Sequence, residues 1–352
     1  MERPKAIILV LVLVVLAVAM PYAFKSGDIK KQDYVPPTPL QLNIPKDWPK
    51  PAKNIYATNP LTEQGFQLGK KLFYDGRLSK DGNFPCASCH QQFAAFATYD
   101  HDFSHGFNDK FTTRNAPPLF NLAWMPLLHW DGGINHIEVQ PLAPLTAVNE
   151  MAENIDSVLK KLRKDTAYPK LFKAAFGSPL INSQRMLKAL AQFTGSIISA
   201  NSKYDKVLRG EATFTPAEQK GYTFFKAKCT GCHAEPLFTD NSFRNNGLDI
   251  NPYLNDYGRM RITNNKSDSL KFKVPSLRNV ALSFPYMHDG RFYSIGQAID
   301  HYSKGINTNQ PTLDSLLKKR ITISNAEKNE LTYFLITLTD TTLTKNPRFS
   351  LR

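Results

Sequence analysis

The sequence predicts a mainly α fold of two helical domains, each organised around one copy of the same short Cys/His motif. Three observations predict it. Apolar residues recur at helical spacing in several segments that open on capping residues. The period-two alternation of half-buried strands is weak throughout. All four cysteines fall into two C-x-x-C-H motifs, Cys86-Ala87-Ser88-Cys89-His90 and Cys229-Thr230-Gly231-Cys232-His233. A length of 352 residues suits about two domains, and 42% hydrophobic with 21% charged residues means that most of the chain folds. Collagen, coiled-coil and disulfide-scaffold classes are excluded by composition, and a polytopic membrane protein by the presence of a single long apolar run. The net charge of +14 is spread along the chain without a Lys/Arg block, which argues against nucleic acid and allows steering of an acidic protein partner.

In chain order, Arg3 and Lys5 precede an apolar run from Ala6 to Met20. Residues 1–24 therefore read as a signal peptide, with Ala17-Val18-Ala19 as its cleavage site, or as an N-terminal membrane anchor through residues 6–24. The run is longer than most signal-peptide cores and lacks a polar flank, which favours the anchor. Either way the rest of the chain is exported. Residues 25–55, rich in Pro and Lys, read as an extended spacer. An N-terminal domain is expected over 56–203 and a C-terminal domain over 204–352. The aromatic stretch 65–74 leads into the first motif. Helices are expected at 155–164 (Ile155, Val158, Leu159, Leu162) and 184–200 (Leu187, Leu190, Phe193, Ile197). Thr215, Pro216 and Glu218 form a capping box that opens a helix delivering Cys229. Ser294 with Gln297 opens a helix through Tyr302, and Ser324 with Glu327 opens one over 325–338.

The motif spacing points to chemistry. In an exported chain four thiols would ordinarily pair as disulfides or gather round zinc, but neither needs a histidine after each pair. C-x-x-C-H is the attachment pattern of a c-type haem: two thiols add to the vinyl groups and the adjacent histidine ligates the iron. Cys86, Cys89 and His90 would hold one covalent haem, and Cys229, Cys232 and His233 the other, in cytochrome c-like domains.

A second repeat bears on the sixth iron position. Pro117 to Ala123 with Pro126 to Gly132 resembles Pro275 to Ala281 with Pro285 to Gly290. We align the copies on their Asp-Gly pairs, with single-residue offsets at Phe284 and Trp130. Ile137 then stands opposite Ile295, and Pro144 opposite Tyr302. Tyr302 shares an apolar stripe with Ile295, Ala298 and Ile299, whereas His301 is turned about a hundred degrees away. A phenolate can ligate haem iron, though spacing alone also suits a core aromatic. Pro144 has no donor atom, so the haem facing it keeps an open position, with Gln140 and Glu150 close by.

These blocks, with the lead-in Leu68-Gly69 to Ser79, Arg114 to Pro117 and Val274 to Asn279, resemble the bacterial diheme cytochrome c peroxidase family, including its MauG-like branch, from about residue 60 to 340. The resemblance implies a peroxidatic haem on His90 with Gln140, Pro144 and Glu150 in its pocket, and Glu150 as acid/base. It implies Trp130 as the bridge to an electron-transfer haem on His233, Arg278 as a cofactor-binding residue, and calcium held by Asn115 with the carbonyls of Ser283 and Pro285. Family peroxidases carry Met where this chain has Tyr302; MauG-like members carry Tyr. The loop His that gates many of these peroxidases is replaced by Phe107, with His101 and His105 nearby as solvated loop residues or substitutes.

The expected function is reduction of hydrogen peroxide to water in the periplasm, with electrons from a small cytochrome c or cupredoxin. MauG-like oxidation of a protein or organic substrate and a non-enzymatic diheme electron carrier are the alternatives. An open pocket with Gln140 and Glu150 counts against the carrier. Expected partners are peroxide and the donor protein, with no nucleic acid, membrane contact only through the N-terminal segment, and a homodimer as a further option.

Overall fold

The computed structural model describes residues 35–52 and 55–351. The segment 1–24, read above as signal or anchor, lies outside them. Among the described residues no helix is long and apolar enough to cross a membrane. From Pro36 onward they form one compact unit, and the architecture is mainly helical. The first half contains α1 (Glu63–Phe73), α2 (Cys86–Cys89), α3 (Leu142–Thr146), α4 (Ile155–Lys164), α5 (Tyr168–Phe176) and α6 (Ser183–Gly195). The second contains α7 (Lys203–Leu208), α8 (Pro216–Lys228), α9 (Met260–Thr263), α10 (Ile295–Asp300), α11 (Asn325–Ile336) and α12 (Thr341–Thr344). Only one small antiparallel ladder is present among the described residues, between β1 (Phe243–Arg244) and β2 (Phe272–Lys273).

Buried side chains gather into two clusters. The first runs from Ile55 to Ile197 and centres on Phe66, Phe73, Phe96 and Phe193. Tyr204, Phe225, Phe238 and Phe334 lead the second. The C-terminal tail returns to the first cluster with Leu343 and Phe349. It is fixed there by the Tyr74 hydroxyl donating to the Phe349 carbonyl at 2.8 Å and by an Arg348–Glu63 ion pair.

Caps place the helices that carry the motifs. The Thr215 and Glu218 box opens α8 as its sequence demands, and the helix hands Cys229 to the second motif at its end. Gly221 lets α8 press on α11: a Cβ there would lie 1.9 Å from the Glu330 carbonyl oxygen. α6 ends at Gly195, short of the expected residue 200. The amides beyond it are taken by side chains instead: Ser199 N–H by Asn121, and Ala200 and Asn201 N–H by Asp340. Residues 36–52 are extended, but they are docked rather than free. Trp48 packs edge-on against Trp124 at 5.0 Å, and the Trp124 indole donates to the Pro49 carbonyl.

The repeat is more regular than the sequence alignment had it. Asn121 and Asn279 both adopt left-handed φ, 57° and 58°, as do His129 and Met287, 66° and 74°. The bridges Leu128↔Ile134 and Tyr286↔Phe292 occupy the same places in the two copies. Every one of these pairs is 158 residues apart (279 − 121, 287 − 129, 286 − 128), so the offsets assigned to Phe284 and Trp130 are not needed. Trp130 stands opposite His288, and His129 opposite Met287. The pairing of Pro144 with Tyr302 has the same separation and is retained.

Candidate functional site

Both motifs fold alike. The backbone N–H of each histidine donates to the carbonyl of the first cysteine, His90 to Cys86 at 3.0 Å and His233 to Cys229 at 2.9 Å. His90 Nδ1 lies 3.0 Å from the Phe96 carbonyl, and His233 Nδ1 lies 3.2 Å from those of Phe238 and Pro275. A carbonyl acceptor fixes the proton on Nδ1 and leaves Nε2 free, the arrangement of a metal-ligating imidazole. Burial pushes His90 down to about 4, with the charge of nearby His129 adding to it, and lowers His233 too, so both rings are neutral near pH 7. All four thiols are unpaired. Burial pushes Cys86 and Cys229 up to about 12. No group of three or more His, Cys, Asp or Glu gathers round a common point among the described residues, so the two motifs do not merge into a zinc site. Two thiols and one free imidazole nitrogen in each half fit a covalently attached haem.

The second motif opens on a large, mostly apolar cavity. Cys229, Cys232 and His233 line it together with Tyr302, Met287, Ile295 and Ala298. Tyr302 reaches the cavity through a local distortion. α10 stops at Asp300 and the chain widens into a π turn over His301–Gly305, a device common where a functional side chain must be re-aimed. Burial pushes the Tyr302 phenol up to about 12, while a hydrogen bond with the Asn246 side chain opposes the shift. His301 points elsewhere, as its position on the helix implied: it is buried and its Nε2 lies 2.9 Å from the Asn246 carbonyl.

At the first motif, Gln140 Nε2 lies 3.4 Å from His129 Nε2. Pro144 sits half-buried in α3, its carbonyl accepting from Met151 N–H. Glu150 is half-buried, and burial raises its pKa above the ordinary carboxylate range. Its charge is felt at Cys89, a thiol raised first by its own burial. The loop over 104–112 clamps the Glu150 backbone: Phe107 N–H donates to its carbonyl at 2.7 Å, and a Cβ on Gly106 would come within 2.8 Å of its Cα. Phe107 itself lies beneath the Lys80 ammonium, 5.0 Å from its ring centre. His101 and His105 are both exposed, and His105 packs on Phe111 rather than on Glu150 or Gln140.

Trp130 lines the second cavity, next to His129 of the first site. Its indole donates to the Asn115 carbonyl at 2.9 Å, and its own carbonyl accepts from Lys273 N–H at 2.7 Å. Arg114 bridges Asp131 and Asp256 at 2.6 Å each, tying the Trp130 segment to the C-terminal half. Asn115, Ser283 and Pro285 line one cavity with Trp130. The Asn115 amide nitrogen donates to the carbonyls of His101 and Asp102, both at 3.2 Å. Turned over, the amide would add its oxygen to a neutral donor set of the kind that calcium accepts. Arg278 is elsewhere. It is fully buried, paired with Asp205 at 2.8 Å, and its guanidinium lies 4.6 Å from the Trp48 ring centre. It is not among the residues that line the cavity. Sequence reasoning overlooked His129, Asn246, Gly106 and Lys273. His129 was legible in principle, as the residue opposite Met287 once the repeat is read without offsets.

The chain is similar to known proteins. The family model for di-haem cytochrome c peroxidase matches residues 63–213. Methylamine utilization protein MauG of Methylorubrum extorquens is 34% identical over 322 residues, 90% of this chain and 88% of that protein. Cytochrome c551 peroxidase of Nitrosomonas europaea is 33% identical over 266 residues, 71% of this chain and 76% of that protein. The crystal structure of a MauG-like protein associated with microbial copper homeostasis is similar at a TM-score of 0.78 and 34% identity, covering 88% of this chain and 99% of that one. The diheme peroxidase BthA of Burkholderia thailandensis shares the fold at a TM-score of 0.72 and 20% identity, over 90% and 98% of the two chains.

Proposed function

The chain belongs to the di-haem cytochrome c peroxidase family, and on that premise we propose that it reduces hydrogen peroxide to water in the periplasm with two electrons from a small cytochrome c or cupredoxin. The family implies two haem c groups, which His90 with Cys86 and Cys89, and His233 with Cys229 and Cys232, would hold. Bound haem supplies an iron that takes up peroxide and changes oxidation state. The observation that carries the reading is Glu150, a carboxyl with its pKa raised by burial and its charge felt at Cys89 of the first motif, in the half where Pro144, which has no donor atom, stands in the place of Tyr302. A carboxylate brought towards neutrality can take a proton from the near oxygen of peroxide and return it to the departing oxygen. One peroxide, two electrons and two further protons give two waters. Gln140 orients the peroxide by hydrogen bonding, and Trp130, between the first site and the second cavity, carries the electrons. Calcium at Asn115, Ser283 and Pro285 would stiffen the wall on which the Trp130 indole hangs. The deciding measurement is peroxide turnover by the holo-protein with reduced cytochrome c; absence of turnover refutes the peroxidase reading.

One observation favours a second reading. Tyr302 stands in the cavity of His233, where a phenolate ligand would stabilise oxidised iron. Such a haem stores oxidising equivalents rather than an electron, which suits MauG-like oxidation of a protein or organic substrate. Peroxide consumption supported by an organic reductant but by no electron-donor protein would select this reading.

A further inference from the structure

We propose that His129 is a further catalytic residue of the first site, an imidazole that hydrogen-bonds the peroxide over the haem held by His90, alongside Gln140. This rests on the reading that the haem on His90 is the open one.

Two independent lines place the ring there. The first is the repeat at a separation of 158 residues, which sets His129, Gln140 and Pro144 opposite Met287, Ala298 and Tyr302 (287 − 129, 298 − 140, 302 − 144). All three counterparts line the cavity of the second motif. The matching face of the first site is therefore made by His129, Gln140 and Pro144. The second line is direct contact. His129 Nε2 lies 3.4 Å from the Gln140 amide nitrogen, and the charge of His129 is felt at His90. A left-handed backbone, φ 66°, turns the side chain to this face, as φ 74° turns Met287 in the other half.

The same comparison says what the ring does. In the second half Asn246 donates to the Met287 sulfur at 3.5 Å and also hydrogen-bonds Tyr302, so if Tyr302 takes the iron, Met287 would stand beside it in the same cavity. An imidazole in the place of that thioether would then stand next to a bound peroxide rather than on the iron. Nitrogen there gives what sulfur gives poorly, a hydrogen-bond partner for an oxygen. As oriented, the Gln140 amide donates to Nε2 and leaves the ring proton on Nδ1. His129 thus has one nitrogen that accepts and one that donates. Its chain neighbour Trp130 lines the second cavity, so this dipeptide addresses both haem sites at once.

The test is cyanide binding to the ferric holo-protein, read by absorption and electron paramagnetic resonance at the haem on His90. His129→Phe keeps the volume, and His129→Asn tolerates left-handed backbone but is too short to reach. Both should weaken cyanide by about ten- to a hundredfold, the range for loss of a hydrogen bond to a charged acceptor. His129→Gln, which can still donate, should recover part of the loss. Each variant should retain two haems per chain by the pyridine haemochrome assay, which keeps misfolding apart from loss of the hydrogen bond. Equal cyanide affinity in wild type and variants overturns the proposal while the open-haem reading stands. No cyanide binding by wild type overturns both. A wild-type haem that is low-spin and becomes high-spin in His129→Phe would make His129 the iron's sixth ligand, which also overturns the proposal.

Discussion

Replacing Tyr302 by Met probes the ligand on which the two functional readings divide. Burial pushes the phenol up to about 12. At pH 7 a bound phenolate therefore costs 12 − 7 = 5 units of deprotonation, about 7 kcal/mol, which ferric iron must supply. Ferrous iron supplies much less, so most of that stabilisation favours the oxidised haem. For one electron each tenfold preference of the phenolate for ferric over ferrous iron lowers the potential by about 59 mV. A thioether has no proton to lose and prefers ferrous iron. Tyr302→Met should raise the potential of the haem on His233 by on the order of 100 mV or more. There is also a pH signature. If reduction releases the phenolate, the phenol takes up a proton, so acid favours the reduced state. The wild-type potential should then fall with rising pH by about 59 mV per unit below pH 12, and the variant's should be flat. Redox titration followed at the haem absorption bands at several pH values reads both effects. Identical spectra and potentials in wild type and variant would show that Tyr302 is not a ligand and would remove the main support for MauG-like chemistry.

Further outcomes are expected. Glu150→Gln should lower peroxide turnover by roughly a hundred- to ten-thousandfold with both haems retained, because an amide cannot shuttle the proton; unchanged turnover would reduce Glu150 to a loop carboxylate. Trp130→Phe should slow electron transfer between haems, followed by stopped flow, more than it slows the first reaction with peroxide. Equal inter-haem rates would leave the indole only its packing role. Arg278→Ala should cost about 3–5 kcal/mol in unfolding free energy by leaving Asp205 buried and unpaired, yet leave two haems attached. Burial opposes the Asp205 charge, but the bonds from Arg278 prevail and hold its pKa below the ordinary value. This stabilisation is present above the unfolded carboxylate pKa and fades as pH falls through the folded one, so acid titration of wild-type stability should show it and that of the variant should not.

Where local chemistry decides structure, the sequence was readable. Helices α4, α8 and α11 begin where their capping residues sit, because an orphan amide at a helix start is satisfied by its own neighbours. The cysteine and histidine spacing likewise identified the two attachment motifs without help from the fold. Most of what was not legible depends on distant partners. The shortened end of α6 depends on Asn121 and Asp340, far away along the chain. Residues 36–52 looked like a spacer because nothing local shows that Trp48 meets both Trp124 and the Arg278 guanidinium. Nothing in the sequence shows that Arg278 binds Asp205 and the Pro236 carbonyl through three of its N–H groups. The turn that re-aims Tyr302 was hidden because an α stripe and a π turn share their first residues.

The repeat also explains how one frame can serve two roles. What lies beneath each haem position is the same in both halves: a histidine amide on the first cysteine carbonyl, and Nδ1 on the carbonyl of a phenylalanine in left-handed backbone, Phe96 or Phe238. Similar tethers leave both imidazoles neutral with Nδ1 protonated, so the histidine side is not where the two halves chiefly differ. What differs is the other face, at corresponding positions: His129 against Met287, Gln140 against Ala298, Pro144 against Tyr302. In the first half that face carries hydrogen-bonding groups, with Pro144 in the place of Tyr302, which on the reading proposed above would suit an incoming peroxide. In the second it carries the Tyr302 phenol and apolar walls, which on the proposed reading would suit a closed iron that exchanges charge. Trp130 follows His129 in the chain and stands opposite His288 in the repeat, with both Trp130 and His288 on the second cavity. If this division is right, exchanging the faces should exchange the roles. Pro144→Tyr should close the first haem, giving it a six-coordinate spectrum and abolishing cyanide binding there, while the haem on His233 keeps its own spectrum. A first haem that still binds cyanide in that variant would mean that residue 144 does not face the iron, and that the matched positions of the two halves do not define equivalent sites.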